Sequence, residues 1–276
     1  VRLLQASLSI LVMMMLISGC AMDGNSEKSQ QEAQPVSDTQ ADQSMNSGTS
    51  DRAIESEVSF NAGAQQNNNK NHRQEDDQVN SMDFVNAAEL GDTDKVLTML
   101  EQGIDINVTD DRGRTAILAA TYGNKPDTVE ALIQKGADLN LRDQRSDNAL
   151  LYAGAEGRPE IVKLMVEAGA DTTLTNRFGG TALIPAADRG HVQIVEYLLK
   201  HSDVDIDHIN NLGWTALLEA VILGDGGERH TQIVKLLVEH GADVNLADGQ
   251  GVTPLAHAKS RDFKDMITIL EKAGAK

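Results

Sequence analysis

One phrase returns six times along the chain. It reads MDFVNAAELG from Met82, TAILAATYGN from Thr115, NALLYAGAEG from Asn148, TALIPAADRG from Thr181, TALLEAVILG from Thr215 and TPLAHAKSRD from Thr253. The spacings are 33, 33, 33, 34 and 38 residues. A second phrase follows each copy, as in TVEALIQKGAD, IVKLMVEAGAD and IVKLLVEHGAD. A fixed period of this length constrains the fold more than any other feature. Each copy is too short to bury its own apolar face, so the copies must stack and share one elongated core.

Local chemistry defines the repeating unit. Each copy holds two short helical patterns separated by Gly91, Asn124, Gly157, Gly190, Gly224 or Asp262. Those residue types predict a left-handed backbone there, which Gly adopts freely and Asn or Asp tolerate. Pro126 and Pro159 follow two residues after their separators, where the first turn of a helix accepts proline. The second helix carries apolar residues three to four apart, as in Ile194, Val195, Leu198 and Leu199, and so has one buried stripe. Gly136, Gly169 and Gly241 end it, and a polar turn leads to the next unit.

These phrases resemble the ankyrin repeat family over residues 79–276, six units in all. The Thr-Ala/Pro-Leu phrase, the Gly-Ala-Asp phrase and the period coincide. The resemblance implies an all-α fold, an ankyrin-repeat solenoid of helix-turn-helix units with β-hairpin fingers between them. The family's usual His after Thr-Pro-Leu is replaced by Leu118, Leu151, Ile184, Leu218 and Ala256, so the bonds that His makes between neighbouring units are expected to be missing. Only Thr253-Pro254 keeps the proline. The last unit is polar at Lys259, Ser260, Lys264, Asp265 and Lys272, as an end cap should be, and Asp83 and Glu89 mark the first.

The start of the chain has a different character. Arg2 precedes an apolar stretch, Leu8 to Ile17, long enough for a secretory signal and too short to span a bilayer. Ile17-Ser18-Gly19-Cys20 resembles the bacterial lipobox, in which the Cys is lipidated and becomes the first residue after cleavage. Cys20 is the one cysteine of the chain, so no internal disulfide exists. Residues 1–19 are read as a lipoprotein signal peptide. Residues 20–78 are rich in Asn, Gln, Ser and Asp without apolar periodicity, and are read as a disordered tether. A flexible chain of that length reaches roughly 45 Å root-mean-square. The domain is thus expected to sit at the cell membrane or outer membrane, lipid-anchored and facing the periplasm or exterior.

Chemistry is not signalled. The seven histidines show no metal-motif spacing, and the glycines of LGDGGE at 223–228 lack the strand and the Lys-Thr pair of a phosphate loop. Asp203, Asp205 and Asp207 alternate, but without the Gly and Glu of an EF-hand loop they read as a turn. With 42 acidic and 24 basic side chains, a net of −18, phosphate-backbone binding is disfavoured. No enzyme, metal, cofactor, nucleic acid or small-molecule substrate is expected, and the chain is expected to be a monomer.

What remains is protein binding. The resemblance implies a concave recognition surface formed by finger tips and the inner face of the first helices. Mapped onto this chain, units four and five place Phe178, Leu212, Trp214, Ile222 and Leu223 there as a contiguous exposed patch. Arg145, Arg177 and Arg189 border it, and Tyr122 lies further along. The segment Asp225 to Gln232 is read as a surface loop five residues longer than its counterparts. The expected partner is an envelope or secreted protein. An immunity-type inhibitor of a secreted toxin or hydrolase is one alternative, and an enzyme or carbohydrate-binding protein is another.

Overall fold

A computed structural model describes residues 80–276. The expected signal peptide, the tether and Cys20 lie outside the described residues. Twelve helices are present among the described residues, two per unit. Unit one holds α1 (residues 80–90) and α2 (Thr93–Glu101). Unit two holds α3 (Ala116–Tyr122) and α4 (Pro126–Gln134), and unit three α5 (Ala149–Glu156) and α6 (Pro159–Glu167). Unit four holds α7 (Leu183–Asp188) and α8 (Val192–His201), and unit five α9 (Ala216–Ile222) and α10 (Glu228–Glu239). Unit six closes with α11 (Pro254–Ser260) and α12 (Lys264–Lys272). The fingers keep the closing hydrogen bonds of a hairpin but hold no named strand among the described residues. Thr109 and Thr115 form an isolated antiparallel bridge.

First helices pack on first helices and second on second, so the core runs continuously through the stack. Alanines keep the first helices close together, as at Ala116, Ala149, Ala182 and Ala216, all buried. Ala120, Ala153, Ala186, Ala220 and Ala258 repeat the pattern one turn later. Leu118, Leu151, Ile184 and Leu218, which replace the expected His, are buried, whereas Ala256 of the last unit is exposed. Burying a side chain of that size contributes about 1.5–3 kcal/mol. The second helices bury one stripe each, for example Ile194, Val195 and Leu198.

Contacts between units are polar as well as apolar, although the Thr-Pro-Leu phrase carries no His at the fourth position. Other histidines do the linking. His191 Nε2 lies 3.1 Å from Ala155 O, His208 Nε2 2.7 Å from Gly179 O, and His230 Nε2 2.8 Å from Asp188 O, each in the preceding unit. The polar turns add a ladder. Asn107 Oδ1 accepts the Asp138 N–H at 2.9 Å, Asn140 Oδ1 accepts Asp171 N–H at 3.0 Å, and Asn245 Oδ1 accepts Lys276 N–H at 3.0 Å. Asp207 does the same for Asp243, so the alternating carboxylates at 203–207 belong to this scaffold. No group of residues able to hold a metal ion occurs among the described residues.

The inter-helix left-handed residue is found at Gly91, Asn124, Gly157, Gly190 and Asp262, but not at Gly224. In unit five the extra residues move that conformation to Gly226, which turns against the ring of Phe263. Gly224 is needed for space instead, since a Cβ there would lie 2.2 Å from Ala220 O. The presumed loop is also mostly helix. Residues 228–232 extend α10 to 12 residues, against 9 or 10 in the other second helices.

Unit four departs from its neighbours because of Pro185. In units two, three, five and six the residue at this position donates its N–H to the carbonyl of the capping Thr or Asn, as Glu219 does to Thr215. Proline has no N–H. Helix α7 therefore starts one residue late, Ile184 N–H bonds Thr181 O instead, and the buried Thr181 hydroxyl is left without a partner.

Asn148 shows a second local cost. Its Oδ1 caps α5 through Leu151 N–H at 2.9 Å, but its buried Nδ2 has no partner. Units two, four, five and six carry Thr at this position. Asn148→Thr should keep the cap, remove the orphan donor and raise the unfolding free energy by about 1 kcal/mol. Urea denaturation measures this, and a lower midpoint for the variant would contradict the assignment.

A candidate partner-binding face

Each finger is built around one Asp or Asn. In unit five Asn210 Oδ1 accepts the N–H groups of Leu212 at 2.9 Å and Trp214 at 3.1 Å, while Asn210 N–H bonds Trp214 O at 3.0 Å. Asp110, Asp143, Asn176 and Asp248 repeat the arrangement. The residue two before each capping Thr or Asn is left-handed, Gly in four fingers and Ser146 in the fifth. The turn is thus held from within, and the side chains between its fixed points face outward from a rigid frame. The remaining atom of the Asp or Asn ties the finger to its surroundings. Asn210 Nδ2 donates to Glu219 Oε1 at 2.7 Å, and His257 Nε2 bonds Asp248 Oδ2 at 2.8 Å.

Helical periodicity supplies the rest of the face. Residues four, seven and eight after each capping residue share one side of the first helix. In unit five these are Glu219, Ile222 and Leu223, and in unit four Pro185, Asp188 and Arg189. The expected patch is brought to this side, but it is not the open surface anticipated. Phe178, Leu212, Trp214, Ile222 and Leu223 are all half-buried, whereas Leu90 is 76% and Ile209 52% exposed. The five residues lie outside both the core and the apolar residues packed on it. Arginines lie against part of the group. The Arg177 guanidinium lies 4.5 Å from the Phe178 ring centroid, and the Arg261 guanidinium bonds the carbonyls of Val221 and Ile222.

The guanidinium groups of Arg189 and Arg177 are committed to the chain itself. Arg189 Nη1 donates to Ala155 O at 2.8 Å and pairs with Glu156. Arg177 Nη1 lies 3.9 Å from Asp147 Oδ2. The Arg145 backbone N–H bonds Asp143 Oδ1 at 2.8 Å. Tyr122 stacks on Tyr152 with ring centroids 3.8 Å apart, and its hydroxyl faces Asp143 Oδ2 at 3.4 Å. Burial, then the charges of Asp143 and Asp147, push the Tyr122 hydroxyl pKa up.

Several carboxyls sit low in this face and titrate late. Burial and the neighbouring Asp143 push Asp147 up to about 6. Burial raises Asp188 although Arg189 and His230 oppose it. Glu219, 6% exposed, is pushed up to about 8 by burial and then by the charge of Asp188, the hydrogen bond from Asn210 opposing. The sequence reading passed over Tyr152 and Glu219. The period of 3.6 residues, counted forward from Asn148 and Thr215, was the signal that would have found them.

A family model described as Ankyrin repeats (3 copies) matches residues 84–176 and 168–248. YahD, an ankyrin repeat protein of Escherichia coli (strain K12), is 42% identical over 193 residues, which cover 70% of this chain and 96% of YahD. Among solved structures, the ankyrin repeat domain ABAYE2397 of Acinetobacter baumannii AYE is 46% identical with a TM-score of 0.68, over 70% of this chain and 98% of that one. The ankyrin repeat protein EF0377 is 40% identical with a TM-score of 0.66, over 68% and 96%.

The buried Glu219 gives this face a signature in stability. Its folded pKa of about 8 lies above the ordinary 4.5, so its contribution is fully present below pH 4.5 and is lost as pH rises to about 8. The slope is at most about 1.4 kcal/mol per pH unit. Glu219→Gln, which keeps an acceptor for Asn210, should flatten the fall in Tm across that window and raise Tm at its alkaline end. Thermal melts at stepped pH test this, and parallel curves for the two proteins would contradict it.

Proposed function

The chain belongs to the ankyrin repeat family, whose members are generally protein–protein interaction modules, and from that premise we propose a lipid-anchored binding protein of the bacterial cell envelope that recognises its partner through units four and five. One observation carries the choice of surface. Phe178, Leu212, Trp214, Ile222 and Leu223 are apolar, adjacent in the repeat pattern and half-buried, yet take no part in the core. Apolar side chains placed this way on a rigid frame suit a partner that completes their burial, and Trp is among the residues that most often dominate such contacts.

Composition along the face supports the same reading. Arg112, Arg145, Arg177, Arg189 and Arg261 stand at its finger and inner-helix positions, and no Lys does. Arginine-rich, lysine-poor, aromatic-bearing surface is the usual make-up of an interface centre. A frame already ordered before docking loses little conformational entropy on binding. The mechanism is recognition without bond chemistry. Anchoring rests on Ile17-Ser18-Gly19-Cys20, where two or three acyl chains would hold the protein stably at the membrane.

Two experiments test the proposal. Full-length protein should capture a partner from detergent-solubilised envelopes, and a Trp214→Ala, Leu223→Asp double variant with unchanged circular dichroism should lose it. Equal capture by both would place the binding surface elsewhere. Cys20→Ser should shift the protein from the membrane to the soluble fraction and abolish labelling by radioactive palmitate, and unchanged membrane retention would overturn the anchor.

A further inference from the structure

Finger three carries a buried carboxyl that the repeat does not require. Asp147 is 9% exposed and stands directly before the capping Asn148. The same position holds Arg114, Gly180, Trp214 and Val252 in units two, four, five and six, so no common scaffold role calls for an acid there. Its neighbour Asp143 has such a role, since Asp143 Oδ1 accepts the N–H groups of Arg145 and Asp147 at 2.8 and 3.0 Å. Asp147 instead reaches across the unit boundary, where its Oδ2 lies 3.9 Å from Arg177 Nη1. The Arg177 guanidinium in turn lies 4.5 Å from the centroid of the Phe178 ring, within range of a cation–π contact. The backbone beneath is fixed, because Phe178 N–H bonds Asn176 Oδ1 at 2.9 Å and Phe178 O accepts Asn211 N–H at 3.0 Å. A change in the ion pair is thus taken up by side chains rather than by the finger.

We propose that Asp147 and Arg177 form a proton-operated latch between fingers three and four, closed over Phe178 when Asp147 is ionised and open when it is protonated. The ionised carboxylate holds the guanidinium in place beside the ring. The protonated acid has no charge to offer, and Arg177 is released. The groups facing Asp147 set where the proton is taken up. Burial favours uptake most, and Asp143 of the same finger comes next. Arg177 of finger four and Arg145 of finger three oppose it, and Glu156 of α5 adds to it. The Tyr122 hydroxyl of α3, itself raised by burial and by the charges of Asp143 and Asp147, stays protonated throughout. Together these place the change near pH 6. Release of Arg177 uncovers Phe178, so acid opens the unit-four edge of the apolar group. That consequence for binding rests on the face proposed above; the latch itself does not.

Fluorine NMR of the full-length protein in detergent micelles, with 4-fluorophenylalanine in place of Phe178, reads the latch directly between about pH 4.5 and 8. The resonance should shift sigmoidally with its midpoint near pH 6. Asp147→Asn, close in shape and unable to ionise, should abolish the shift and hold the resonance at its acidic position at every pH. Arg177→Gln, which removes the other half of the pair, should abolish most of it. Unchanged circular dichroism verifies the fold of each variant. His208, whose Nε2 lies 2.7 Å from Gly179 O, is a second titratable group against finger four. A transition that survives Asp147→Asn would overturn the latch, and its loss in His208→Gln would assign it to that ring instead. A constant resonance over the whole range would overturn the latch as well. No partner is present in this experiment, so either failure is distinct from failure of the binding face.

Discussion

Everything in this domain depends on the packing of one unit against the next. No pair of helices encloses a core by itself. Helices α3 and α9 bury nearly every residue because each is covered by a second helix of its own unit and by first helices on either side. Alanines at two positions per unit set that approach, and the larger Leu and Ile between them fill what remains. A chain arranged this way gains stability from nearest neighbours, one interface at a time. It also presents one residue from every unit in the same orientation, which is why a recognition surface can be read along the stack.

The polar residues have a different part. The finger Asp or Asn, the Asp of the Gly-Ala-Asp phrase and the Asn two residues later bond backbone N–H groups with their side chains. Asp138 bonds Asn140 N–H within its own turn, and Asn140 then reaches Asp171 N–H in the next unit. These short bonds hold the turns without regular strands. They leave the intervening positions free to vary, and those positions carry Trp214, Leu212 and Phe178. Even the insertion of unit five conforms, since most of it is taken up as an added helical turn that His230 ties back to unit four.

Much of this was legible in the sequence. The period, the apolar stripes, the capping residues and the polar last unit all reflect local chemistry, and they gave the helix pairs and the two ends. The family resemblance added the fingers and the side on which to look. What the sequence concealed was the outcome of long-range neighbours. Nothing local shows that Glu156 and Asp147 of the preceding unit pair with Arg189 and Arg177, which border the patch. Ile222 read as exposed, because the arginine that bonds its carbonyl is 39 residues away in the chain. Gly224 read as left-handed by alignment, although the inserted residues pass that role to Gly226. Glu219 was passed over, since its raised pKa reflects burial and the charge of Asp188 across the unit boundary.

The central claim is that a rigid stack presents a partly covered apolar face, across units four and five, to a protein partner. Site-specific photo-crosslinking in living cells tests it most directly. A photoreactive amino acid placed at residue 212 would sit in the face, and one at residue 163 would sit on the exposed side of α6. Crosslinking from residue 212 to a second protein, and none from residue 163, is the result this account predicts. Crosslinking from residue 163 with residue 212 silent would contradict it.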